Sequence, residues 1–186
     1  MKDFLKWCLQ GKDVNEVSVY ALSTENLRRS KEELDYLWKI YTAKLSNLLA
    51  DPTIKENDVK VNVVGDSNLW IPEVKDLVEK VRKATENNKS RKLNILLAYG
   101  SQFEINNVFK SLNGHRPKSI DEMLMVKDPV DLLIRTGGQR RMSNFLLYQS
   151  AYAELYFTDT LWPDFSKQEF DKVIDWYYQQ QKNFGK

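Results

Sequence analysis

The chain has 186 residues, of which 42% are hydrophobic and 29% charged, with 28 basic side chains against 26 acidic ones for a net charge of +2. That length suits one good-sized globular domain, and the interspersed, near-balanced charge excludes binding led by electrostatic attraction to nucleic acid. The single cysteine, Cys8, excludes an intrachain disulfide; no apolar run approaches the ~20 residues of a membrane span, and the start lacks a signal peptide's apolar centre, so the reading is a cytosolic protein, or one that only touches a membrane surface.

In chain order, Met1–Gln10 is an amphipathic start. Val17–Leu22 reads as a strand. Ser30-Lys-Glu-Glu33 fits a capping box, in which serine hydroxyl and glutamate satisfy orphan amides reciprocally. It opens a helix over residues 31–50, with Leu34, Leu37, Trp38, Ile40, Tyr41, Leu45, Leu48 and Leu49 at helical spacing. Val59–Val64 is a second strand, and residues 72–87 a helix with Pro72 in its first turn and Val74, Leu77, Val78 and Val81 inward. Leu93–Ala98 is a third strand; residues 110–120, with the sole histidine His115, read as a loop; Asp131–Ile134 is a fourth strand. Ser166-Lys-Gln-Glu169 fits another capping box, with Phe165 and Phe170 closing a hydrophobic staple. Its helix runs to about residue 181, with Val173, Ile174 and Tyr177 inward. Strands alternating with helices imply an α/β fold with a mainly parallel central sheet covered on both faces. Ligands of such sheets bind outside the carboxyl ends of the strands, so the loops after residues 22, 64, 99 and 135 are expected on one edge.

Three segments carry candidate chemistry. Ile134-Arg-Thr-Gly-Gly-Gln-Arg-Arg-Met-Ser-Asn144 follows a strand. Its glycines let backbone amides turn toward a ligand. Arg135, Arg140 and Arg141 supply fork-shaped donors for phosphate oxygens. Ser143 adds a hydroxyl at what reads as a helix start, where free amides favour an anion. One arginine alone reads as a solvated turn; three with two glycines and a serine at a strand end read as an anion site. Leu22-Ser-Thr-Glu-Asn-Leu-Arg-Arg-Ser30 also follows a strand. Its Ser23, Asn26 and Arg29 are either turn and capping residues or contributors to the same crevice. In Ala151–Phe165, Glu154 sits among aromatic and aliphatic neighbours. A carboxylate there calls for a partner: a salt bridge to an arginine, or Mg²⁺, which takes one or two carboxylates plus substrate phosphates. No zinc spacing, Walker motif or Gly-x-Gly-x-x-Gly after a strand is present.

Together these segments resemble one family. Asp131-Leu-Leu-Ile-Arg-Thr-Gly-Gly138, Arg141-Met-Ser-Asn-Phe-Leu-Leu147, Ala151-Tyr-Ala-Glu-Leu-Tyr-Phe-Thr-Asp159 and Leu161-Trp-Pro-Asp-Phe165 are similar to the signature of cis-prenyltransferases, the undecaprenyl or dehydrodolichyl diphosphate synthases. Tyr20-Ala-Leu-Ser-Thr-Glu-Asn26 with Arg29 resembles their second signature, and Val63-Val-Gly-Asp66 and Leu97-Ala-Tyr-Gly100 with Glu104-Ile105 are weaker matches. The resemblance implies addition of isopentenyl diphosphate to an allylic diphosphate in cis geometry, with Mg²⁺, as a homodimer or heterodimer in the cytoplasm near a membrane. It implies that Arg135, Arg141 and Ser143 hold the isopentenyl diphosphate and that Glu154 holds the metal. Ser23, Asn26 and Arg29 would shape the condensation site, with Glu33 beside it. Ala21, Leu37, Ile40 and Tyr41 would line a hydrophobic tunnel for the growing chain; apolar positions at helical spacing are more often plain core, and both readings can hold, because a tunnel wall is core on its other side.

The sequence departs from that pattern in places. The family's first strand and its Asp-Gly-Asn-Gly-Arg segment, which binds the allylic diphosphate, do not occur in these 186 residues. Leu27 replaces an aromatic, Ser30 a proline, Ser101-Gln102 a Gly-Arg pair and Gln139 a glutamate, and Asn183-Phe184-Gly185 lacks the arginine of an Arg-x-Gly tail. The expectation is a single, N-terminally truncated cis-prenyltransferase-like domain that elongates poorly alone, or else a partner subunit without independent activity.

Overall fold

The computed structural model describes residues 2–10, 14–112, 117 and 119–181. His115 and Asn183–Gly185 lie outside the described residues. The chain divides into two compact units, Met1–Val126 and Lys127–Lys186.

The first unit is built on a three-stranded parallel sheet of β1 (Glu16–Ser23), β2 (Val59–Val64) and β3 (Arg91–Tyr99), in the order β1-β3-β2. The middle strand reads Leu-Asn-Ile-Leu-Leu-Ala-Tyr and is buried from Leu93 to Tyr99, as expected for a strand covered on both faces. Helices α1 (Lys2–Gln10), α2 (Lys31–Leu49), α3 (Pro52–Glu56), α4 (Pro72–Thr85) and α5 (Ser101–Ser111) surround it. The expected capping box opens α2: Ser30 Oγ accepts from the Glu33 amide, and the Glu33 carboxylate accepts from the Ser30 amide. Trp38, Leu45 and Leu48 of α2 and Val74, Val78 and Val81 of α4 join Val59, Val61, Leu93, Ile95 and Leu97 in one core. Leu49, expected inward, is exposed at the helix end. Helix α5 was not visible in the sequence, whose loosest stretch was read from residue 110; the helix runs to Ser111. A polar row crosses the sheet: the Asn94 amide donates to Glu16 and Ser18 on β1, and Asn62 on β2 donates to Asn94. This row fixes the register, because a one-residue slip would bury it against the apolar face.

The second unit has two parallel strands, β4 (Leu132–Arg135) and β5 (Glu154–Phe157), with helix α6 (Lys167–Tyr178). The sequence reading left β5 out, because four residues without a clear period fall below what periodicity resolves. The Ser166 hydroxyl caps α6 by accepting from the Glu169 amide. The reciprocal half of that expected capping box is not made: the Glu169 carboxylate accepts from Thr158 Oγ1 at 2.7 Å instead. Phe165 and Phe170 are both buried, as a staple requires, and Tyr156 meets Trp176 edge-on at 5.1 Å, joining β5 to α6. The expected helix after Ser143 does not form. Ser143, Asn144 and Leu146 hold φ of 49°, 64° and 40°, in the left-handed region, where no right-handed ladder can run. The segment is a series of turns, so no helix dipole stands behind Ser143.

Candidate active site

In the first unit, the carboxyl ends of the three parallel strands carry the loops after residues 22, 64 and 99; the loop after residue 135, expected with them, leaves a separate two-stranded sheet in the second unit. The Thr24 amide donates to the Tyr99 carbonyl at 2.9 Å, and the Asp66 amide to the Ala98 carbonyl at 3.0 Å. Two bulges shape this edge. The β1–β3 register skips Ala21 on one strand and Ala98 on the other, which re-aims the residues that follow. The Ala21 carbonyl, out of ladder register, accepts the Tyr41 hydroxyl from α2. Two expected tunnel-wall residues thus meet through a hydrogen bond. Burial raises the Tyr41 phenol pKa, partly offset by the Arg29 charge. Tyr20 donates to the Tyr99 carbonyl at 3.1 Å, and burial, with the nearby Glu25 charge, pushes its phenol up to about 12.

Beyond the bulge, Ser23 and Asn26 close a turn on themselves. Asn26 Oδ1 accepts from the Ser23 amide at 3.3 Å, and Ser23 Oγ accepts from the Asn26 amide at 3.2 Å. Arg29 follows, exposed, after a short 3₁₀ turn over Glu25–Arg28. Glu33 is exposed and engaged in the α2 cap. Leu37 is half-buried against the core, and Ile40 is half-buried.

Sequence reasoning gave Glu104 no role. It is 1% exposed; its carboxylate accepts from the Tyr99 hydroxyl at 2.6 Å and from the Met125 and Val126 amides at 2.6 and 3.4 Å. Burial, then Glu104 itself, holds the Tyr99 phenol far above its ordinary pKa. A charged residue one turn into a helix that follows the apolar end of a buried strand, Ile95–Tyr99, was the available signal.

In the second unit, Arg135 ends β4. Its Nη1 donates to the Arg141 carbonyl and, at 2.9 Å, to Ser143 Oγ. Arg141 Nη1 donates to Gln139 Oε1 at 2.7 Å. Gly137 and Gly138, at φ 86° and 74°, turn the chain between them, and their amides are tied to the Thr160 and Thr158 carbonyls. Among the described residues neither guanidinium is paired with a carboxylate. Burial, then the charge of Arg141, lowers the pKa of Arg135, a sign of two cations sharing one locus. Two such cations, with Arg135 Nε and Nη2 left without a partner among the described residues, have the donors and charge that suit a polyanion. The expected trio of Arg135, Arg141 and Ser143 is therefore brought together.

Glu154 is not brought to that trio. In the β4–β5 register it lies opposite Leu132, whereas Arg135 lies opposite Phe157. Three residues of strand separate the two levels, roughly 10 Å, and odd spacing puts the two side chains on opposite faces. Glu154 is half-buried and makes no salt bridge among the described residues, so the cost expected of a buried carboxylate is relieved by solvent. No group of three or more His, Cys, Asp or Glu side chains that could hold a metal exists among the described residues.

A parallel α/β scaffold with loops at the strand ends, one of them carrying two neighbouring guanidinium groups, has the chemistry to receive an anionic ligand. Comparison with known proteins identifies the class. The model of the prenyltransferase family described as undecaprenyl diphosphate synthase matches residues 1–185. The chain is 39% identical to a tritrans,polycis-undecaprenyl-diphosphate synthase (geranylgeranyl-diphosphate specific) of Pyrococcus horikoshii, over 100% of this chain and 75% of that protein. It is 36% identical to the synthase of the same name from Pyrobaculum aerophilum, over 100% of this chain and 83% of that one. The crystal structure of a probable undecaprenyl diphosphate synthase from Campylobacter jejuni superposes with a TM-score of 0.91 at 29% identity, covering 100% of this chain and 90% of that one. The chain belongs to the undecaprenyl diphosphate synthase family of prenyltransferases.

Proposed function

We propose that this chain takes part in cis-prenyl chain elongation, binding isopentenyl diphosphate through Arg135, Arg141 and Ser143. The observation that carries this reading is the convergence of two guanidinium groups with no carboxylate partner among the described residues. The reaction joins two diphosphates. The allylic C–O bond breaks and its electron pair leaves with inorganic diphosphate. The terminal alkene of isopentenyl diphosphate attacks the cation-like carbon, a C–C bond forms, and a proton is lost to give the new double bond. This chain's residues serve binding and orientation. Arg135 and Arg141 fix the isopentenyl diphosphate. The turn closed by Ser23 and Asn26, with Arg29, shapes the condensation site. Ala21, Leu37, Ile40 and Tyr41 line the path of the apolar product, and Glu33 sits at the mouth of the same helix. Exposed Tyr148, Tyr152 and Leu155 of the second unit supply an apolar surface suited to a second subunit, as homodimer or heterodimer. No helix among the described residues is long and apolar enough to cross a membrane; a cytoplasmic protein touching the membrane that takes up its lipid product fits this reading.

The Mg²⁺ that the family implies is not matched by the described donors of one chain. Glu154 offers a single carboxylate at the far level of β5 from the arginines, so no step is routed through it.

Calorimetry with isopentenyl diphosphate tests this reading. The expected result is binding by the parent chain that falls about 100-fold in Arg135→Ala. No binding by the parent, or equal binding by the variant, would overturn the site.

A further inference from the structure

We propose that Glu169 is a positioning residue of the diphosphate site: through the Thr158 hydroxyl it fixes the turn against which the arginine loop is folded. The inference rests on reading residues 135–143 as that site.

Glu169 stands three residues after Ser166, the cap of α6, where a glutamate ordinarily returns to the cap amide. Here it is turned to another partner. Its Oε1 accepts from Thr158 Oγ1 at 2.7 Å, while Ser166 Oγ still accepts from the Glu169 amide at 3.2 Å. Both Glu169 and Thr158 are half-buried, so their bond is partly shielded from water. Thr158 meets the arginine loop on both sides of its backbone. Its amide donates to the Arg135 carbonyl at 3.0 Å, and its carbonyl accepts from the Gly138 amide at 3.0 Å. Its hydroxyl oxygen also accepts from the Thr160 amide at 3.2 Å, and the Thr160 carbonyl accepts from the Gly137 amide at 2.9 Å. Gly137 and Gly138 sit at positive φ with no side chain to hold them, so these backbone bonds set the path from Arg135 to Arg141.

A hydroxyl has one proton to direct. Donated to Glu169, it leaves the lone pairs for the Thr160 amide and holds the Thr158 rotamer. Without an acceptor at residue 169 the hydroxyl turns freely, and the turn beneath the two glycines loosens. The two guanidinium groups then leave the geometry a diphosphate needs for part of the time, and affinity falls. Among the described residues Glu169 pairs with neither guanidinium, so its contribution runs through Thr158. A glutamate that served the helix alone would change stability and leave affinity untouched.

The test is calorimetric titration of the 186-residue chain with inorganic pyrophosphate, without divalent cations, beside a thermal melt of each variant. Glu169→Gln and Glu169→Ala remove the same negative charge, but only the glutamine keeps an oxygen for Thr158, so their ratio isolates the hydrogen bond. Glu169→Ala is expected to bind about fivefold more weakly than Glu169→Gln. Thr158→Ser keeps the hydroxyl and should bind within about twofold of the parent, whereas Thr158→Val should bind about fivefold more weakly. Joining Thr158→Val to Glu169→Ala should weaken binding by no more than about twofold beyond either change alone, because both break one bond. Ser166→Ala controls for stability: it removes the α6 cap and should lower the melting temperature by about 2–4 °C while pyrophosphate affinity stays within about twofold. Equal binding by Glu169→Ala and Glu169→Gln overturns the proposal. So does a weakening by Ser166→Ala as large as that by Glu169→Ala, which would make helix stability the cause. If the parent chain itself fails to bind pyrophosphate, the diphosphate reading of the site fails and this inference with it; a parent that binds alongside indifferent variants removes the inference alone.

Discussion

The turn after β1 and the turn after β4 both leave the carboxyl end of a parallel strand, yet they spend their polar groups in opposite ways. Ser23 and Asn26 satisfy each other, and the Thr24 amide is bound to Tyr99, so the first turn is closed and neutral. The second turn uses backbone and side-chain carbonyls to hold two guanidinium groups and pairs neither with an acid. The same position in the fold thus serves shape in one place and charge in the other. Damage to the first should appear in stability and turnover, damage to the second in anion affinity.

The glycines at the two edges show the contrast most strongly. A Cβ on Gly65 would lie 2.0 Å from the Leu97 carbonyl oxygen, a backbone atom that also accepts the Trp70 indole at 2.9 Å. Nothing there can yield cheaply. A Cβ on Gly137 would meet only the Leu161 Cδ2 at 3.9 Å, leaving the strain of a positive φ as the cost. Gly65→Ala should therefore cost about 4 kcal/mol or more, and Gly137→Ala about 1 kcal/mol. Chemical denaturation measures both. Equal losses would mean that the two edges are packed alike and would break the comparison.

Arg135 comes next in size. Arg135→Ala removes the fork and both contacts that order the loop, and pyrophosphate or isopentenyl diphosphate affinity should fall about 100-fold, with little change in melting temperature. Arg135→Lys should recover less than tenfold of that, because an ammonium cannot donate as a planar pair. Calorimetry with both variants decides; affinity within threefold of the parent in Arg135→Ala would remove the second turn's role as the charged one.

The parts legible in the sequence were those with local causes. The Val59–Val64 alternation, the Ser30–Glu33 box and the apolar spacing of α4 each reproduce in place. The arginine cluster was legible because strand, glycines and arginines are contiguous. What escaped depends on partners far along the chain. The bulges at Ala21 and Ala98 exist only in the pairing of β1 with β3. The bond of Glu169 to Thr158, in place of its own cap, needs β5 beside α6. Met142-Ser-Asn-Phe-Leu-Leu147 has the apolar spacing of a helix, and tertiary burial of Leu146 at φ 40° overrode it. Glu154 was assigned from its apolar neighbours and its motif, and only strand register shows it lying away from the arginines.

The smallest effect is the most discriminating, because Asn26 has two separable polar groups. Its Oδ1 closes the turn, while its Nδ2 donors have no partner among the described residues. Asn26→Ala loses both: the Ser23 amide is left without its acceptor, costing about 1 kcal/mol, or about 2–4 °C in melting temperature. Pyrophosphate affinity should stay within twofold, since the second turn is untouched. Asn26→Asp keeps an acceptor for the Ser23 amide but supplies no donor. Its melting temperature should return to within about 1 °C of the parent. In a chain competent for elongation, kcat should nevertheless stay low with little change in the KM for isopentenyl diphosphate. Recovery of turnover along with stability would make Asn26 a structural residue only. Recovery of stability without turnover would assign its amide nitrogen to the substrate, giving the neutral turn a direct share in the chemistry.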